Sequence, residues 1–348
     1  MFDLQKIIRQ NIKDLPAYTP DREPPPPGAI LLDLNENAFG SPLTKWYNRY
    51  PDPVQRELKK KIAAIKAVKE DQFLLTNGSE ESIDVLIRTF CEPVLDNIII
   101  CPPVYDGYEM TAKINGVGAK QVALLPSFQL DMEGIEEAID GATRIIFICS
   151  PNNPTGNVIN REDVEVILTN FEGLVVVDEA YINYSRSRSI LTELTEHPNL
   201  IVLQTFSKAW GLAGLRLGIT IASPEVIQVL QKLKGPHNIN SATLELGSKA
   251  LDDLQAVNTM IKETVSGRDE LIKSLQNVSC IQQVYPSQTN FILVRTTNAK
   301  EVYKHLKERK IFVKDFSTEP NCENCLRITV GTPEQNAVLI EALNEFKA

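Results

Sequence analysis

Short apolar runs alternate with amphipathic stretches through most of the chain. Strand-sized apolar runs lie between residues 72 and 222, at QFLLT, NIIIC, KQVALL, TRIIFIC, LVVVD, NLIVLQ and RLGITIA. Helical patterns separate several of them, and this alternation predicts a mainly parallel sheet covered by helices. RIIFIC and LVVVD are apolar almost without interruption, which is typical of strands buried on both faces. We therefore predict an α/β fold.

The pattern changes near Gly235-Pro236, where the alternation stops. A helical pattern extends from about Ser241 through Leu275, and the strand-like segments NFILVR and CLRITV follow it. The segment DREPPPPG contains four consecutive prolines, which favour an extended linker. A chain of 348 residues is expected to form two domains. We predict an N-terminal arm and linker at 1–30, a large domain at 31–240 and a small α+β domain at 241–348.

The composition is that of an ordinary soluble protein, with 43% apolar and 23% charged residues. A net charge of -9 gives no global attraction for nucleic acid or an anionic membrane. The N-terminal stretch is interrupted by charges and lacks the apolar core of a signal peptide, so we expect a cytoplasmic protein. Six scattered cysteines fit a reducing compartment. Cys322-x-x-Cys325 has zinc or redox spacing, but no second pair completes four ligands, so we expect no metal.

Polar residues follow four of the predicted strands. Because ligands of open α/β sheets bind outside the carboxyl ends of the strands, these positions are the candidate site. The four segments are NGS after QFLLT, SPNNPTG after RIIFIC, DEAY after LVVV, and TFSK after NLIVLQ.

The motifs NNPTG, VVDEAY and SKAWGLAGLRLG, in that order, are similar to those of the fold-type I aminotransferases of class I and II. NEN at 35–37, RYPDP at 49–53, NGSEE at 77–81, PPVYDGY at 102–108 and LRITVGT at 326–332 resemble the histidinol-phosphate aminotransferase family within that group. The resemblance covers nearly the whole chain. It implies a large domain with a mainly parallel mixed sheet, a smaller α+β domain and pyridoxal 5'-phosphate as cofactor.

The resemblance implies a catalytic role for Lys208, Asp178 and Tyr181. Lys208 would carry the cofactor through its primary amine and move a proton during the reaction. Asp178 would pair with the cofactor's ring nitrogen, although a strand-end aspartate can also be a helix N-cap. Tyr181 and Asn153 would bond the cofactor's phenolic oxygen.

A phosphate site is implied where QFLLT ends. Gly78 and Ser79 open a helical pattern, so backbone N–H groups would meet the phosphate there, and N-capping is an equal alternative for Ser79. Tyr105 would stack on the cofactor ring. The remaining donors implied for the phosphate are Thr205, Ser207 and Arg216.

Substrate recognition is implied for a further set of residues. Arg327 matches the arginine that grips a substrate carboxylate in this superfamily. Lys314 stands where related sequences carry an arginine, so the charge is kept and the planar fork is lost. The other implied substrate-binding residues are Tyr18, Asn35 and Tyr50.

Together these matches imply transamination of L-histidinol phosphate with 2-oxoglutarate, in histidine biosynthesis. They also imply a homodimer in which Tyr50 reaches the neighbouring active site. The alternatives are an aromatic or other class I and II amino-acid aminotransferase, or an enzyme like threonine-phosphate decarboxylase. A more distant alternative is a non-catalytic sensor module, but the arm before the body is too short for a winged helix.

Overall fold

A computed structural model describes residues 2–16, 28–43 and 45–347, and its centre is a large mixed sheet. The strands are β1 (Phe73–Asn77), β2 (Asn97–Ile100), β3 (Gly118–Gln121), β4 (Thr143–Cys149), β5 (Leu174–Asp178), β6 (Leu200–Thr205) and β7 (Leu217–Ile221). In these ranges they form a seven-stranded sheet in the order β1-β7-β6-β5-β4-β2-β3, with β7 antiparallel to both neighbours and the other pairs parallel. The predicted α/β class is confirmed.

The central strand β5 shows why four apolar residues precede its final aspartate. Every residue of the strand is buried. Successive side chains point to opposite faces, so Val175 and Val177 join the core on one side of the sheet, and Leu174 and Val176 join the core on the other. A strand that is covered by helices on both faces needs apolar residues at both sets of positions.

Several of the helices begin at side-chain caps. For example, Thr332 and Gln335 form a capping box at the start of the last helix. The helices are α1 (Leu4–Ile7), α2 (Gln10–Lys13), α3 (Arg56–Lys66), α4 (Ser79–Phe90), α5 (Gly107–Ile114), α6 (Met132–Ala138), α7 (Arg161–Asn170), α8 (Pro224–Leu230), α9 (Ser241–Ala250), α10 (Leu254–Leu275), α11 (Ala299–Glu308) and α12 (Pro333–Asn344). Short 3₁₀ helices cover Lys45–Asn48, Glu70–Gln72, Ile182–Tyr184, Ile190–Glu193 and Ala213–Leu215.

A smaller antiparallel sheet follows in the last third of the chain. Its strands are β8 (Ile281–Val284), β9 (Phe291–Thr296), β10 (Lys314–Asp315) and β11 (Cys325–Thr329), in the order β10-β11-β9-β8. The helices α10, α11 and α12 share an apolar core with this sheet. The boundary at 240/241 stays a prediction. Helix α9 follows this boundary in the sequence, but it packs against α3 of the large-sheet part. Just after α9, Asp252 pairs with Lys61 of α3 at 2.7 Å.

Two details differ from the sequence-based expectation. The helical pattern from 241 to 275 is interrupted, because α9 ends at Ala250 with Leu251 as its C-cap. Asp253 then caps α10 by accepting a hydrogen bond from the Ala256 N–H. In KQVALL, only Lys120 and Gln121 belong to β3, which lies at the sheet edge.

The N-terminal arm packs on the large domain. Ile7, Ile8 and Ile12 are buried in the core that includes helix α4. Arg9 pairs with Glu92 at 3.1 Å. Most of the proline-rich linker lies outside the described residues. In the described part of the chain, no helix is both long and apolar enough to cross a bilayer.

Candidate active site

Most of the predicted site residues line one cavity of about 380 Å³ at the carboxyl ends of β4, β5 and β6. The N-terminus of α4 closes one side of the cavity, and β10 and β11 of the small sheet close another. The predicted residues in its wall are Ser79, Tyr105, Asn153, Asp178, Tyr181, Thr205, Ser207, Lys208, Arg216, Lys314 and Arg327. A single cavity therefore combines residues from both sheets.

Lys208 lies just after β6, in a turn that the backbone holds. The Gly211 N–H donates to the Lys208 carbonyl at 3.0 Å, and Gly211 has φ 67°, which favours glycine. The amine lies 5.6 Å from the centre of the Tyr181 ring. Burial lowers the pKa of Lys208, and the nearby Arg327 charge lowers it further. A neutral amine, the form that attacks a carbonyl, is thereby favoured.

Asp178 ends β5 and is buried at the floor of the cavity. Its Oδ1 accepts a hydrogen bond from the Ala180 N–H at 3.0 Å, and its Oδ2 accepts one from the Tyr108 hydroxyl at 2.6 Å. Burial raises the pKa of Asp178, whereas the bond from Tyr108 opposes that rise. Tyr108 was not among the predicted site residues. The only sequence feature that pointed to Tyr108 was its position in the motif PPVYDGY, three residues after Tyr105.

Groups that could bind an anion lie at the start of α4. Gly78 has φ 81° and precedes the helix, whose first N–H groups have no acceptor within the helix. A Cβ at Gly78 would collide with Nη2 of Arg216. Arg216 also pairs with Glu80 at 2.7 Å, and sequence analysis did not identify this carboxylate as part of the site. Nearby, the Ser207 N–H donates to Thr205 Oγ1 at 3.1 Å.

Arg327 lies at the other end of the cavity, on β11. Its Nη1 donates to Oδ1 of Asn153, which ties the small sheet to the loop after β4. Its guanidinium carbon lies 5.2 Å from the centre of the Phe291 ring and 5.1 Å from that of Phe316. Among the residues that the structure describes, Nε of Arg327 is buried and has no hydrogen-bond partner. A buried unpaired donor next to a cavity is what an anionic ligand would satisfy.

The two tyrosines of the cavity wall are held by other aromatic rings. Tyr105 meets Tyr108 edge to face, with ring centres 5.5 Å apart, and burial raises the pKa of Tyr105 to about 12. Tyr181 meets Phe291 edge to face at 5.0 Å, and burial raises its pKa as well. Both hydroxyls are therefore neutral donors at physiological pH.

Asn35 and Tyr50 do not line this cavity. They line a separate cavity of about 580 Å³, where the Tyr50 ring stacks on His237 with centres 4.8 Å apart. Tyr18 lies outside the described residues. In the described part of the chain, no cluster of three or more His, Cys, Asp or Glu side chains could hold a metal ion.

Comparisons with known proteins cover nearly the whole chain and agree on its family. The family model for aminotransferase class I and II matches residues 32–343. A histidinol-phosphate aminotransferase of Flavobacterium johnsoniae is 46% identical over 346 residues, which are 98% of each protein. The crystal structure of the histidinol-phosphate aminotransferase from Clostridium acetobutylicum has a TM-score of 0.78 and 26% identity, and covers 85% of this chain and 90% of its own. The enzyme of that name from Sinorhizobium meliloti, in complex with pyridoxal-5'-phosphate, has the same fold, with a TM-score of 0.79, 22% identity and coverage of 90% and 89%.

Proposed function

Since the chain belongs to the class I and II aminotransferases, we propose that it transfers the amino group of L-histidinol phosphate to 2-oxoglutarate, using pyridoxal 5'-phosphate. The products are 3-(imidazol-4-yl)-2-oxopropyl phosphate and L-glutamate, and the step belongs to histidine biosynthesis. The full-length relative from Flavobacterium johnsoniae supports this substrate. The main structural support is that one cavity holds a lysine amine, a buried carboxylate and two groups of anion donors.

The residues of the cavity fit the cofactor at both of its ends. The buried carboxylate of Asp178 suits a cationic ring nitrogen, because a carboxylate of this kind is costly to bury without a positive partner. At the start of α4, Gly78 leaves room for Arg216 beside helix N–H groups that favour a phosphate. The chemistry of the donor set therefore matches an aromatic cation with a phosphate arm.

When bound, pyridoxal phosphate supplies an electron sink for the bonds at the substrate carbon that bears the amino group. Lys208 would hold the cofactor through its amine, and its free amine would move the proton of that carbon, as a base and then as an acid. The lowered pKa of Lys208 favours the free amine, which is the form that accepts a proton.

Three side chains set the charge around the ring. The carboxyl group of Asp178, which accepts a hydrogen bond from Tyr108, would pair with the ring nitrogen and favour its protonated form. Tyr181 and Asn153 would donate to the phenolic oxygen, and the bond from Arg327 to Oδ1 of Asn153 fixes the direction of that amide. We propose that this pair of contacts links the substrate end of the cavity to the cofactor end.

The anion end of the substrate meets Arg327 and Lys314. These residues lie directly opposite each other on β11 and β10. The unpaired Nε of Arg327 is available to the carboxylate of glutamate and to the phosphate of histidinol phosphate, which would bind there in turn.

We also propose a cytoplasmic homodimer in which Tyr50, 56% exposed, reaches the active site of the neighbouring subunit. Hybrid dimers test this arrangement. Lys208→Ala and Tyr50→Ala homodimers should both be impaired, whereas a hybrid of the two contains one site with both residues intact and should regain about half of the wild-type activity per dimer. A hybrid as impaired as its parents would mean that Tyr50 acts within its own subunit.

A half-reaction without keto acid tests the substrate. Histidinol phosphate should remove the visible absorbance band of the holoenzyme, and 2-oxoglutarate should restore it. Phenylalanine and threonine phosphate serve as matched controls and should leave the band largely unchanged. If either of them removes the band while histidinol phosphate does not, the substrate assignment is wrong, although the aminotransferase family would still stand.

A further inference from the structure

The anion end of the cavity brings two positive side chains onto facing strands. Lys314 on β10 and Arg327 on β11 are directly opposite in the antiparallel register. Side chains in that relation lie on the same face, and like charges directly opposite one another destabilise a sheet. A group that attracts both cations would offset this repulsion.

Phe316 contacts both cations. The Lys314 amine lies 5.7 Å from the centre of the Phe316 ring, and the guanidinium carbon of Arg327 lies 5.1 Å from the same centre. Both distances fall within the range of cation–π attraction. Because side chains alternate along a strand, Phe316 points to the same face as Lys314, two residues before it.

The backbone fixes the position of this ring. The Phe316 N–H donates to the Cys325 carbonyl at 3.0 Å, so the pairing of β10 and β11 extends one residue past Asp315. The Phe316 carbonyl accepts a hydrogen bond from the Glu319 N–H at 2.9 Å. Phe291 lies on β9, the other neighbour of β11, and its buried ring is centred 5.2 Å from the guanidinium carbon of Arg327. Arg327 thus contacts two rings, and Lys314 contacts one of them.

We propose that Phe316 is a positioning residue that holds Lys314 and Arg327 on one anion and thereby favours a phosphate monoester over a carboxylate. A lysine is a flexible point charge without a planar fork, so it depends on a neighbour for its direction. With the ring in place, a dianion meets both charges, whereas a monoanion gains less from the second one. This inference rests on the proposed function, because it concerns the substrate end of the same site.

Two substitutions separate the ring's electrostatics from its bulk. Phe316→Leu keeps an apolar side chain but removes the aromatic face, and Phe316→Tyr keeps the face. Glu319 also lines the cavity and is unchanged in both variants, so its effect cancels in the comparison. The ligands are propyl phosphate and butyrate, which lack an amino group and therefore bind without turnover. At about pH 8 the phosphate monoester carries close to two charges.

Calorimetric titration of the holoenzymes with these two ligands gives the test. For Phe316→Leu we expect roughly tenfold weaker binding of propyl phosphate, equivalent to about 1.4 kcal/mol, and at most about threefold weaker binding of butyrate. Phe316→Tyr should bind both ligands within about twofold of the wild type, because the aromatic face is retained. The cofactor absorbance and melting temperature of each variant establish that it is folded.

Three results would overturn the inference. Unchanged binding by Phe316→Leu would show that the ring does not hold the cations. Equal losses for the leucine and tyrosine variants would assign the effect to fit rather than to the aromatic face. Equal losses for the two ligands would remove the link with phosphate preference. Because the titration needs no turnover, a failure of histidinol phosphate to react would contradict the proposed function and leave this result standing.

Discussion

The hydrogen bond from Tyr108 to Asp178 can be removed with little disturbance of the fold. Phe at position 108 keeps the ring that stacks on Phe147 at 4.8 Å and loses only the hydroxyl. Tyr108 is fully buried and Asp178 is 5% exposed, so water does not replace the lost bond. A hydrogen bond to a buried charged group contributes about 1.5–3 kcal/mol. Asp178 would keep its bond from the Ala180 N–H.

The expected effect is on cofactor binding and on its pH dependence. The hydrogen bond from Tyr108 lowers the pKa of Asp178, which burial has raised, so Tyr108→Phe should raise that pKa further. An acid with a raised pKa is ionised only at higher pH, and binding of the ring cation requires the ionised form. We expect pyridoxal phosphate to bind the apoenzyme more weakly, by at most about 10- to 150-fold, with a defect that shrinks as pH rises.

Fluorescence titration of the apoenzyme with pyridoxal phosphate across the pH range measures this effect. Tyr303→Phe, on α11 of the small-sheet part, is the matched control and should bind like the wild type. In an Asp178→Asn background, Tyr108→Phe should cost much less, because the charge it supports is absent. Unchanged affinity at every pH, or a defect that grows with pH, would refute this account of Tyr108.

Three further substitutions test the rest of the site. Lys208→Ala should lower transamination by about 10²- to 10⁴-fold or more and abolish the cofactor's covalent absorbance band; a coupled glutamate assay with substantial remaining activity would contradict its role. Gly78→Ala should weaken the binding of pyridoxal phosphate but not that of pyridoxal, because a Cβ at this position collides with Arg216. The control Gly141→Ala should change neither affinity, because a Cβ there meets nothing within 4 Å. Arg327→Leu removes a positive charge and should raise the pKa of Lys208. The rate at which the apoenzyme reacts with pyridoxal phosphate should then begin to fall at a higher pH on the acid side of its pH profile, whereas Arg309→Leu should leave the profile unchanged. A limb that moves to lower pH would contradict the proposed coupling.

The local pattern of the sequence determined the layers of the fold and much of one wall of the cavity. Apolar runs such as LVVVD report burial on both faces, because their side chains must enter two cores at once. Polar residues directly after such a strand, such as Asp178, must then lie at its carboxyl end, where ligands bind. Gly78 before an amphipathic helix similarly indicated a helix N-terminus open to an anion.

The tertiary structure alone decided which distant side chains meet. Tyr108 and Asp178 are 70 residues apart, and Arg327 and Asn153 are 174 apart, so no local period reports either bond. The rings around Arg327 depend on the pairing of β9, β10 and β11, and Tyr50 lies in a different cavity from Lys208 within one chain. A period of two or 3.6 residues records which side of an element is buried, but the order of the strands determines what that side touches.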